Sequence, residues 1–541
     1  MRLNKKVVLS FLASFSFINL FFLPEWANLF GDHSVEQFFL TPSPFKNAYF
    51  ALGVTVLGGA LIISILFWVF SFFRWKKWEA ILSIGLLLCL CFPLNFLREY
   101  TALFNYYPQL SYSAHQVRDF LSLPILVTLM VLIIYASFQI IRKHPERVSQ
   151  FAMGVGLVFS PVILVTYLNL FNIYQKNLRF INFKQPSRKI SKSARDNPKV
   201  VWIIFDELDY RLVFEDRPRD ILLPEMDRFR KSSVFVEKAF PPSDYTIHSI
   251  PSLLSGDRVD VAAVQPTDLV LWEPNKNKQE NWTQVTSVFK EVKELGYSTA
   301  LVGWYHSYCK VLQQDLDYCR RFPAGRFGYA QDFWGSIKSI LARSLVIDRR
   351  TERAFIYNLL KTHKAALEKL GSDKYDFTFL HYSIPHKPYL FDRKTEKLSP
   401  YVLRTPESYF GNLILVDQML GEIRKVMESN DEWNKSVVIV TSDHSWRKSE
   451  EYDGKRDFRV PFMIKMTDSK GFHFTEPVGN VVTEDFIVDV MRKKITSSEN
   501  AVAWLKEHNR DFPRRTVLTP IEQEIMNKKS GEQPKSGDSK G

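Results

Sequence analysis

Four side chains that could bind a metal ion or act as a nucleophile lie next to apolar runs of this sequence. Asp206 follows the run VVWIIF, and Asp443 and His444 come shortly after the run VVIV. Thr246 stands at the start of an apolar segment whose spacing predicts a helix. Two carboxylates, an imidazole and a hydroxyl could form a four-coordinate zinc site. Such an ion would activate the Thr246 hydroxyl as a nucleophile and polarise a phosphoryl or sulfuryl group under attack.

Each of these side chains also has a purely structural interpretation. Thr246 could cap its helix, although the positive end of a helix dipole also suits an anionic group. Asp206 could cap the next helix, and Asp443 with His444 could form a turn. The metal interpretation depends on the three ligands falling at the ends of predicted strands, because ligands bind beyond the carboxyl ends of strands in open α/β sheets.

The elements that would position these residues alternate along the second half of the chain. The predicted strands are 200–205, 233–236, 298–302, 375–380, 437–440 and 459–465. The predicted helices are 223–230, 283–295, 332–370 (as one or two helices) and 409–427. Alternation of this kind predicts an α/β domain with a mostly parallel central sheet sandwiched by helices.

The first part of the chain is strongly apolar, and the 541 residues are too many for one core. Five apolar runs are long enough to span a bilayer, which predicts an N-terminal five-helix transmembrane bundle. The runs are 7–24, 48–73, 80–97, 120–141 and 151–173. We therefore expect a transmembrane domain at 1–175, a basic linker at 176–199, a catalytic domain at 200–510 and a polar, largely disordered tail at 511–541.

Basic residues predict the orientation of these spans. Nine Lys and Arg lie before span 1 and in the loops after spans 2 and 4, against three in the other loops. The N-terminus is then cytoplasmic and the second domain lies outside the membrane. This distribution explains much of the net charge of +13, so we do not expect a nucleic-acid partner. The linker could lie on anionic lipid or be solvated, and the sequence leaves both open.

Two cysteines, Cys309 and Cys319, lie in the exported part. An oxidising compartment would allow them to pair in a disulfide. Pairing is favoured over free thiols because nothing nearby is typical of a metal–thiolate site.

Motifs recurring in order over roughly 199–465 resemble the alkaline phosphatase superfamily, in particular its sulfatase-like and phosphoethanolamine or glycerophosphate transferase branches. VVWIIFDE resembles the first strand with its metal-binding acid, and LPEMDRF the helix that follows. TIHSIP resembles the segment that carries the nucleophilic threonine of phosphoethanolamine transferases. GYSTALVGWYH resembles the sulfatase G-Y-x-T…G-K-W-H strand, VVIVTSDHSW resembles the V-x-x-x-S-D-H-G metal strand, and RVPF resembles the strand that closes the site.

The resemblance also separates the branches. Sulfatases convert a Cys or Ser in C/S-x-P-x-R to formylglycine, and Ser249 begins a similar pattern here with Leu253 in place of Arg. The sulfatase nucleophile lies ten residues before a Gly, and ten residues before Gly256 is Thr246. Threonine is not a formylglycine precursor, so a threonine–metal mechanism is favoured.

The resemblance implies three substrate-binding residues, His386, His306 and Lys455. The chain departs from the pattern at two places: Trp304 stands where sulfatases have a Lys, and no His follows His444 until His473. A site for a second metal ion is therefore in doubt.

We expect a multi-pass protein of a bacterial inner membrane that is a metal-dependent phosphotransferase. It would move a phosphoethanolamine- or glycerophosphate-like unit from a phospholipid through Thr246 to an envelope glycan or lipid acceptor. The metal would be zinc, with manganese or calcium as alternatives. The alternative functions are a sulfatase-like hydrolase and a non-catalytic membrane scaffold. The sequence does not indicate the donor, the acceptor or the oligomeric state.

Overall fold

The computed structural model of the protein divides the chain into two compact units. One unit comprises 1–32, 42–181 and 329–348, and the other comprises 33–41, 182–328 and 349–541. The residues described are 5–30, 44–90, 132, 135, 138–140, 142–177, 197–265, 268–273, 278–322, 333–344, 350–403 and 405–508. The predicted tail at 511–541 and most of the predicted linker lie outside these ranges.

The first unit consists of helices. They are Lys5–Phe21, Leu23–Phe30, Pro44–Phe72, Lys76–Cys89, Pro145–Val158, Ser160–Asn177 and Phe333–Ser344. Large apolar side chains on these helices are exposed, Ile62 for example by 61%.

Two helical segments, Ala48–Phe72 and Pro145–Asn172, are long and apolar enough to cross a membrane, and Val7–Phe21 is apolar but shorter. The described helix that corresponds to predicted span 80–97 begins earlier, at Lys76, and ends at Cys89. Most of predicted span 120–141 lies outside the described residues. The predicted five-helix bundle is therefore not confirmed.

The second unit is built on an eight-stranded sheet. Its strands are β1 (Lys199–Asp206), β2 (Val234–Phe240), β6 (Thr299–Gly303), β7 (Tyr318–Arg321), β8 (Phe377–Pro385), β11 (Ser436–Thr441), β12 (Phe462–Lys465) and β13 (Phe472–Gly479). Their order is β13-β2-β12-β11-β1-β8-β6-β7, and only β12 runs antiparallel to its neighbours. The prediction of a mostly parallel sheet is confirmed.

Two small antiparallel sheets accompany the large one. The first contains β3 (Val261–Val264), β4 (Leu269–Glu273) and β5 (Lys278–Asn281), and the second contains β9 (Phe391–Asp392) and β10 (Lys397–Leu398).

Both faces of the large sheet are buried, as the apolar run of β1 predicts. Val200, Trp202 and Ile204 belong to one hydrophobic core, whereas Ile203 and Phe205 belong to the other. The helices of the unit are Tyr210–Phe214, Pro224–Lys231, Thr246–Ser255, Val288–Glu294, Tyr308–Val311, Arg350–Leu370, Tyr409–Ser429, Ser449–Asp453, Thr483–Met491 and Ser498–Glu507. Their apolar residues are divided between the two cores, so helices cover both faces of the sheet.

The register of β1 and β11 determines which residues meet at the carboxyl end of the sheet. The two strands are parallel neighbours, with Ile204 beside Thr441. Two residues further along each chain are Asp206 and Asp443, which the sheet therefore brings side by side. The next parallel neighbour of β1 is β8, which leads directly into His386.

Candidate active site

Asp206, Asp443 and His444 form a buried cluster at the carboxyl end of β1 and β11. One ligand atom from each of them lies within 4.8 Å of the others. His444 Nε2 is 3.7 Å from Asp206 Oδ1 and 3.4 Å from Asp443 Oδ2. The sequence prediction that these three side chains would converge agrees with this geometry.

The tautomer of His444 suits a metal ligand. Its Nδ1 lies 3.0 Å from the Ser445 carbonyl oxygen. A carbonyl can only accept a hydrogen bond, so Nδ1 carries the hydrogen and donates it. The lone pair of neutral imidazole is then on Nε2, which faces the two carboxylates. A backbone hydrogen bond of this kind commonly orients a metal-binding histidine.

The carboxylates of the cluster are only partly compensated by protein hydrogen bonds, with Asp443 Oδ1 accepting one from the His444 backbone N–H at 3.0 Å. Within the described part of the chain, neither oxygen of Asp206 nor Oδ2 of Asp443 has a hydrogen-bond partner, although all three atoms are buried. Burial and then the charge of Asp443 raise the pKa of Asp206 well above its ordinary value. Two adjacent buried carboxylates and an imidazole lone pair therefore fit a divalent cation, which would neutralise the repulsion.

Thr246 places its hydroxyl at this cluster. Its Oγ lies 3.2 Å from His444 Nε2. The helix Thr246–Ser255 begins at Thr246, and Tyr245 is the N-cap, without a side-chain capping bond. The interpretation of Thr246 as an N-cap is therefore wrong by one residue. Because Thr246 is the first helical residue, its side chain is free to face the cluster.

His306 lies behind Thr246. The ring is fully buried, and its Nε2 donates to the Thr246 carbonyl oxygen at 3.0 Å. Burial lowers the pKa of His306 to about 3, so the ring is neutral. This contact supports the Thr246 backbone and differs from the predicted contact with substrate.

Lys455 is not brought to the cluster. Its side chain is largely exposed and forms an ion pair with Asp216 at 3.2 Å. The residue follows Gly454, whose left-handed backbone ends the short helix Ser449–Asp453. This turn carries Lys455 toward the Asp216 loop, so its predicted role in substrate binding has no structural support.

His386 lies at the carboxyl edge of the site. Its backbone N–H donates to the Asp206 carbonyl oxygen at 3.0 Å, which ties the loop after β8 to the end of β1. Its ring is partly exposed and lies 5.7 Å from the Trp304 ring. The ring is near enough to Glu207 for the two to interact electrostatically. This position is compatible with the predicted contact to substrate.

Sequence reasoning missed Glu207 and Arg447. Arg447 Nε donates to Glu207 Oε1 at 3.0 Å, and the Arg447 guanidinium carbon lies 5.3 Å from the centre of the Tyr245 ring. Burial alone would raise the pKa of Glu207, but His386, His444 and Arg447 together bring it below its ordinary value. The sequence signals were that Glu207 directly follows Asp206 and that Arg447 comes three residues after His444.

The backbone at Glu207 is strained. Its φ of 64° lies in the left-handed region, which is costly for a residue with a Cβ. Tyr409 Oη donates to the Glu207 carbonyl oxygen at 2.7 Å, and the Tyr409 ring stacks on Trp446 at 4.1 Å. Strained backbone held in this way is concentrated at functional sites.

Cys309 and Cys319 form a disulfide, as the sequence suggested. It connects the short helix Tyr308–Val311 to β7. The adjacent Tyr308 hydroxyl lies 2.6 Å from His381 Nδ1, which makes His381 a hydrogen-bonded residue of the core.

The chain belongs to the sulfatase family. The sequence model of that family matches residues 198–487, which is more than half of the 541 residues and includes all four clustered side chains. The family is part of the alkaline phosphatase superfamily, as the motifs predicted, and members of this superfamily are metal-dependent enzymes. No curated protein matches the chain in sequence.

Several solved structures are similar to the chain at low identity. A phosphonate monoester hydrolase of Agrobacterium radiobacter is 13% identical with a TM-score of 0.42, covering 62% of this chain and 83% of its own. A sulfatase-like protein from Bacteroides fragilis is 13% identical with a TM-score of 0.41, covering 59% and 80%. An alkaline phosphatase superfamily protein from Vibrio parahaemolyticus is 13% identical with a TM-score of 0.37, covering 57% and 68%. The family assignment does not depend on them.

Proposed function

We propose that the protein is a membrane-bound, metal-dependent phosphotransferase that uses Thr246 as its nucleophile. It would take a phosphoethanolamine- or glycerophosphate-like unit from a phospholipid and pass it to a glycan or lipid of the bacterial envelope. One observation carries this proposal: the Thr246 hydroxyl lies 3.2 Å from His444 Nε2, at the buried Asp206–Asp443–His444 cluster.

Asp206, Asp443, His444 and the Thr246 hydroxyl would hold the cation. The proposed ion is zinc, with manganese or calcium as alternatives, and the imidazole ligand favours zinc or manganese. When bound, a divalent cation supplies Lewis-acid polarisation of the ester and a lower pKa for the adjacent hydroxyl.

The chain's own residues would then carry out two displacements. Thr246 Oγ forms a bond to phosphorus while the bond from phosphorus to the lipid glycerol oxygen breaks. The diacylglycerol leaves as the alcohol. The proton that Thr246 loses balances the proton that the diacylglycerol oxygen gains. An acceptor hydroxyl next attacks phosphorus and gives up its proton, and the Thr246 hydroxyl is restored. A covalent intermediate of this kind divides one difficult transfer into two steps.

The location and the partners belong to the same proposal. The two helical segments long and apolar enough to cross a membrane support anchoring by their length and composition. The basic-residue distribution supports a cytoplasmic N-terminus and an extracytoplasmic second unit at a bacterial inner membrane. Such an anchor would keep the catalytic unit close to a lipid donor.

Membership of the sulfatase family favours a hydrolase as the second candidate. Water would then replace the acceptor in the second displacement. The first displacement would be unchanged, because Thr246 occupies the nucleophile position in both cases.

The test is mass spectrometry of the Thr246 peptide together with metal analysis, on full-length protein purified from its native membrane. We expect a phosphoethanolamine or glycerophosphate adduct on Thr246 and bound metal. Bound metal with unmodified Thr246, and release of the head group to water, would support the hydrolase. Unmodified Thr246 without metal, before and after adding zinc or manganese, would leave a non-catalytic scaffold.

A further inference from the structure

We infer that Arg447 binds the non-bridging oxygens of the anionic ester and thereby determines which substrates the site accepts. This inference rests on the proposed function, in which Thr246 attacks such an ester. It concerns a residue that neither the motifs nor the family assignment identifies.

Arg447 is fixed but not fully used by the protein. Only its Nε donates a hydrogen bond, to Glu207 Oε1, and its side chain is 35% exposed. Within the described residues, neither terminal nitrogen donates to a protein acceptor. The donor groups of these two nitrogens are therefore free for a ligand, in the planar arrangement that suits phosphate or sulfate oxygens.

Other arginines of this unit are used differently. Arg424 donates through all three of its nitrogens to Glu225 and Glu428, and Arg459 donates through all three to Glu215 and Asp457. Both are therefore structural ion pairs. Arg447 differs because its pairing with Glu207 uses only Nε and leaves both terminal nitrogens without an acceptor among the described residues.

Arg447 lies beside the residue that precedes the proposed nucleophile. Its guanidinium lies over the ring of Tyr245, which directly precedes Thr246. The carboxylates of Asp206 and Asp443 are near enough for their charges to act on it. A tetrahedral anion that approaches Thr246 Oγ therefore comes within the field of the guanidinium.

The partner of Arg447 is held at a strained backbone position. Glu207 has a φ of 64°, and its N–H and carbonyl contact Asp443 Oδ1 at 3.4 Å and Tyr409 Oη at 2.7 Å. This conformation turns the Glu207 side chain to Arg447 while Asp206, one residue earlier, points to the cluster. The strain is explained if the position of Arg447 matters for binding.

Charge balance gives Arg447 a specific task. If Asp206 and Asp443 are ionised as ligands of one divalent ion and Glu207 is ionised beside them, the three carboxylates exceed the charge of the ion by one. Arg447 brings the site to no net charge. Without Arg447 the site would be negative overall and would repel an anionic ester. The guanidinium thus makes anion binding favourable with a single metal ion.

The test measures binding of dimethyl phosphate, a singly charged diester probe, to zinc-loaded full-length protein in detergent by isothermal titration calorimetry. We expect Arg447→Gln to weaken binding about 10-fold to 100-fold, the usual effect of losing charge-assisted hydrogen bonds. Arg447→Lys should bind more tightly than Arg447→Gln but less tightly than the wild type, because lysine keeps the positive charge and lacks the planar pair of terminal N–H donors. Arg424→Gln is the matched control, since it removes an arginine–glutamate pair elsewhere, and it leaves the affinity unchanged.

Glu207→Gln separates this inference from a structural role. The amide oxygen can still accept from Arg447 Nε, but one negative charge is gone, so binding should tighten a few-fold. Wild-type affinity in Arg447→Gln with zinc retained would overturn the inference. So would joint loss of zinc and affinity in that variant, because Arg447 would then only support the metal ligands. If the wild type forms no Thr246 adduct but the Arg447 variants change the affinity for dimethyl phosphate as expected, only the proposed function is disproved.

Discussion

Two buried aspartates at opposite ends of the central sheet have opposite hydrogen-bonding environments. At the amino end, Asp376 accepts hydrogen bonds from Ser298 N at 2.8 Å, from Ser298 Oγ at 2.7 Å and from Asn197 Nδ2 at 3.0 Å. At the carboxyl end, Asp206 is also buried but accepts no hydrogen bond from the described residues. The protein compensates a buried charge at one end of the sheet and leaves one uncompensated at the other.

Lys465 shows the same compensation on the amino side. It is fully buried, and its Nζ donates to the carbonyl oxygens of Trp433 and Ser436, the second at 3.1 Å. Burial lowers the pKa of Lys465 to about 8. Buried polar groups are normally satisfied, so the unsatisfied carboxylate of Asp206 calls for an explanation, and a bound cation supplies one. Asp376 thus stabilises the fold, whereas Asp206 is left available for a ligand.

The largest effect should come from the proposed nucleophile at the carboxyl end, Thr246. We expect Thr246→Ala to lower turnover of a diester substrate about 1000-fold or more and to abolish the covalent adduct, because the attacking hydroxyl is removed. Ser249→Ala is the matched control, since Ser249 starts the sulfatase-like pattern but donates to the Ser243 carbonyl at 2.8 Å. Activity lost in Ser249→Ala and kept in Thr246→Ala would show that the nucleophile has been misassigned.

Replacing the carboxylate of Asp376 or of Asp206 by an amide should have opposite effects on stability. In chelator, Asp376→Asn should lower the free energy of unfolding by about 2 kcal/mol, because an amide cannot accept all three hydrogen bonds. Under the same conditions Asp206→Asn should raise it by about 1 kcal/mol, because repulsion from Asp443 is removed.

Adding zinc should make Asp206→Asn, and no longer Asp376→Asn, the less stable of the two variants. At a concentration about 1000-fold above its dissociation constant, the ion should stabilise the wild type and Asp376→Asn by about 4 kcal/mol. Asp206→Asn should gain much less. Chemical denaturation with and without zinc measures both effects, and equal destabilisation by the two variants in chelator would remove the distinction between the ends of the sheet.

A third prediction concerns Glu484, another buried carboxylate on the carboxyl side. Burial, followed by the charges of Glu291 and Asp485, raises the pKa of Glu484 to about 9. The folded state therefore keeps a proton that the unfolded state loses near pH 4.5. Stability is fully present below that pH and falls as pH rises toward 9, by up to about 1.4 kcal/mol per pH unit.

Glu484→Gln should remove this contribution to the pH dependence. Denaturation midpoints from pH 5 to pH 9 would test it, with zinc absent so that metal binding does not contribute. A slope in the variant that equals the wild-type slope would show that Glu484 is ionised in the folded protein.

The last prediction concerns the difference in stability cost between alanine substitutions at two left-handed glycines that follow helices. Gly256, with φ of 69°, follows the helix of Thr246, and a Cβ there would lie 2.7 Å from Glu484 Oε2. Gly454, with φ of 73°, has open space. Gly454→Ala should cost about 1 kcal/mol from backbone strain alone, and Gly256→Ala about 2 kcal/mol because contact is added. Thermal denaturation measures the difference, and equal costs would show that Glu484 moves aside freely.

The sheet and its metal-type ligands were predictable because they depend on long patterns. A run of six apolar residues before Asp206 can only be buried on both faces, and strands of that kind align their carboxyl ends. The order of motifs then added Asp443 and His444.

Local geometry was less predictable. One residue decided whether Thr246 would cap its helix or face the cluster, and helix boundaries are not read from sequence to that precision. A turn at Gly454 took Lys455 away from the site. The role of Arg447 depends on the backbone of Glu207, which has no periodic signal. For the apolar runs, length alone does not show which residues form continuous helices.

The arrangement of β1 at the centre of the sheet has a consequence for how the site is made. Its two neighbours, β8 and β11, come much later in the chain, and Thr246 and His444 are 198 residues apart. During synthesis the first strand emerges long before either partner, so its apolar surface remains unpaired until they follow. The cluster would be able to bind a cation tightly only after the whole unit has folded. Metal loading would then report completed assembly, and truncated chains would remain empty.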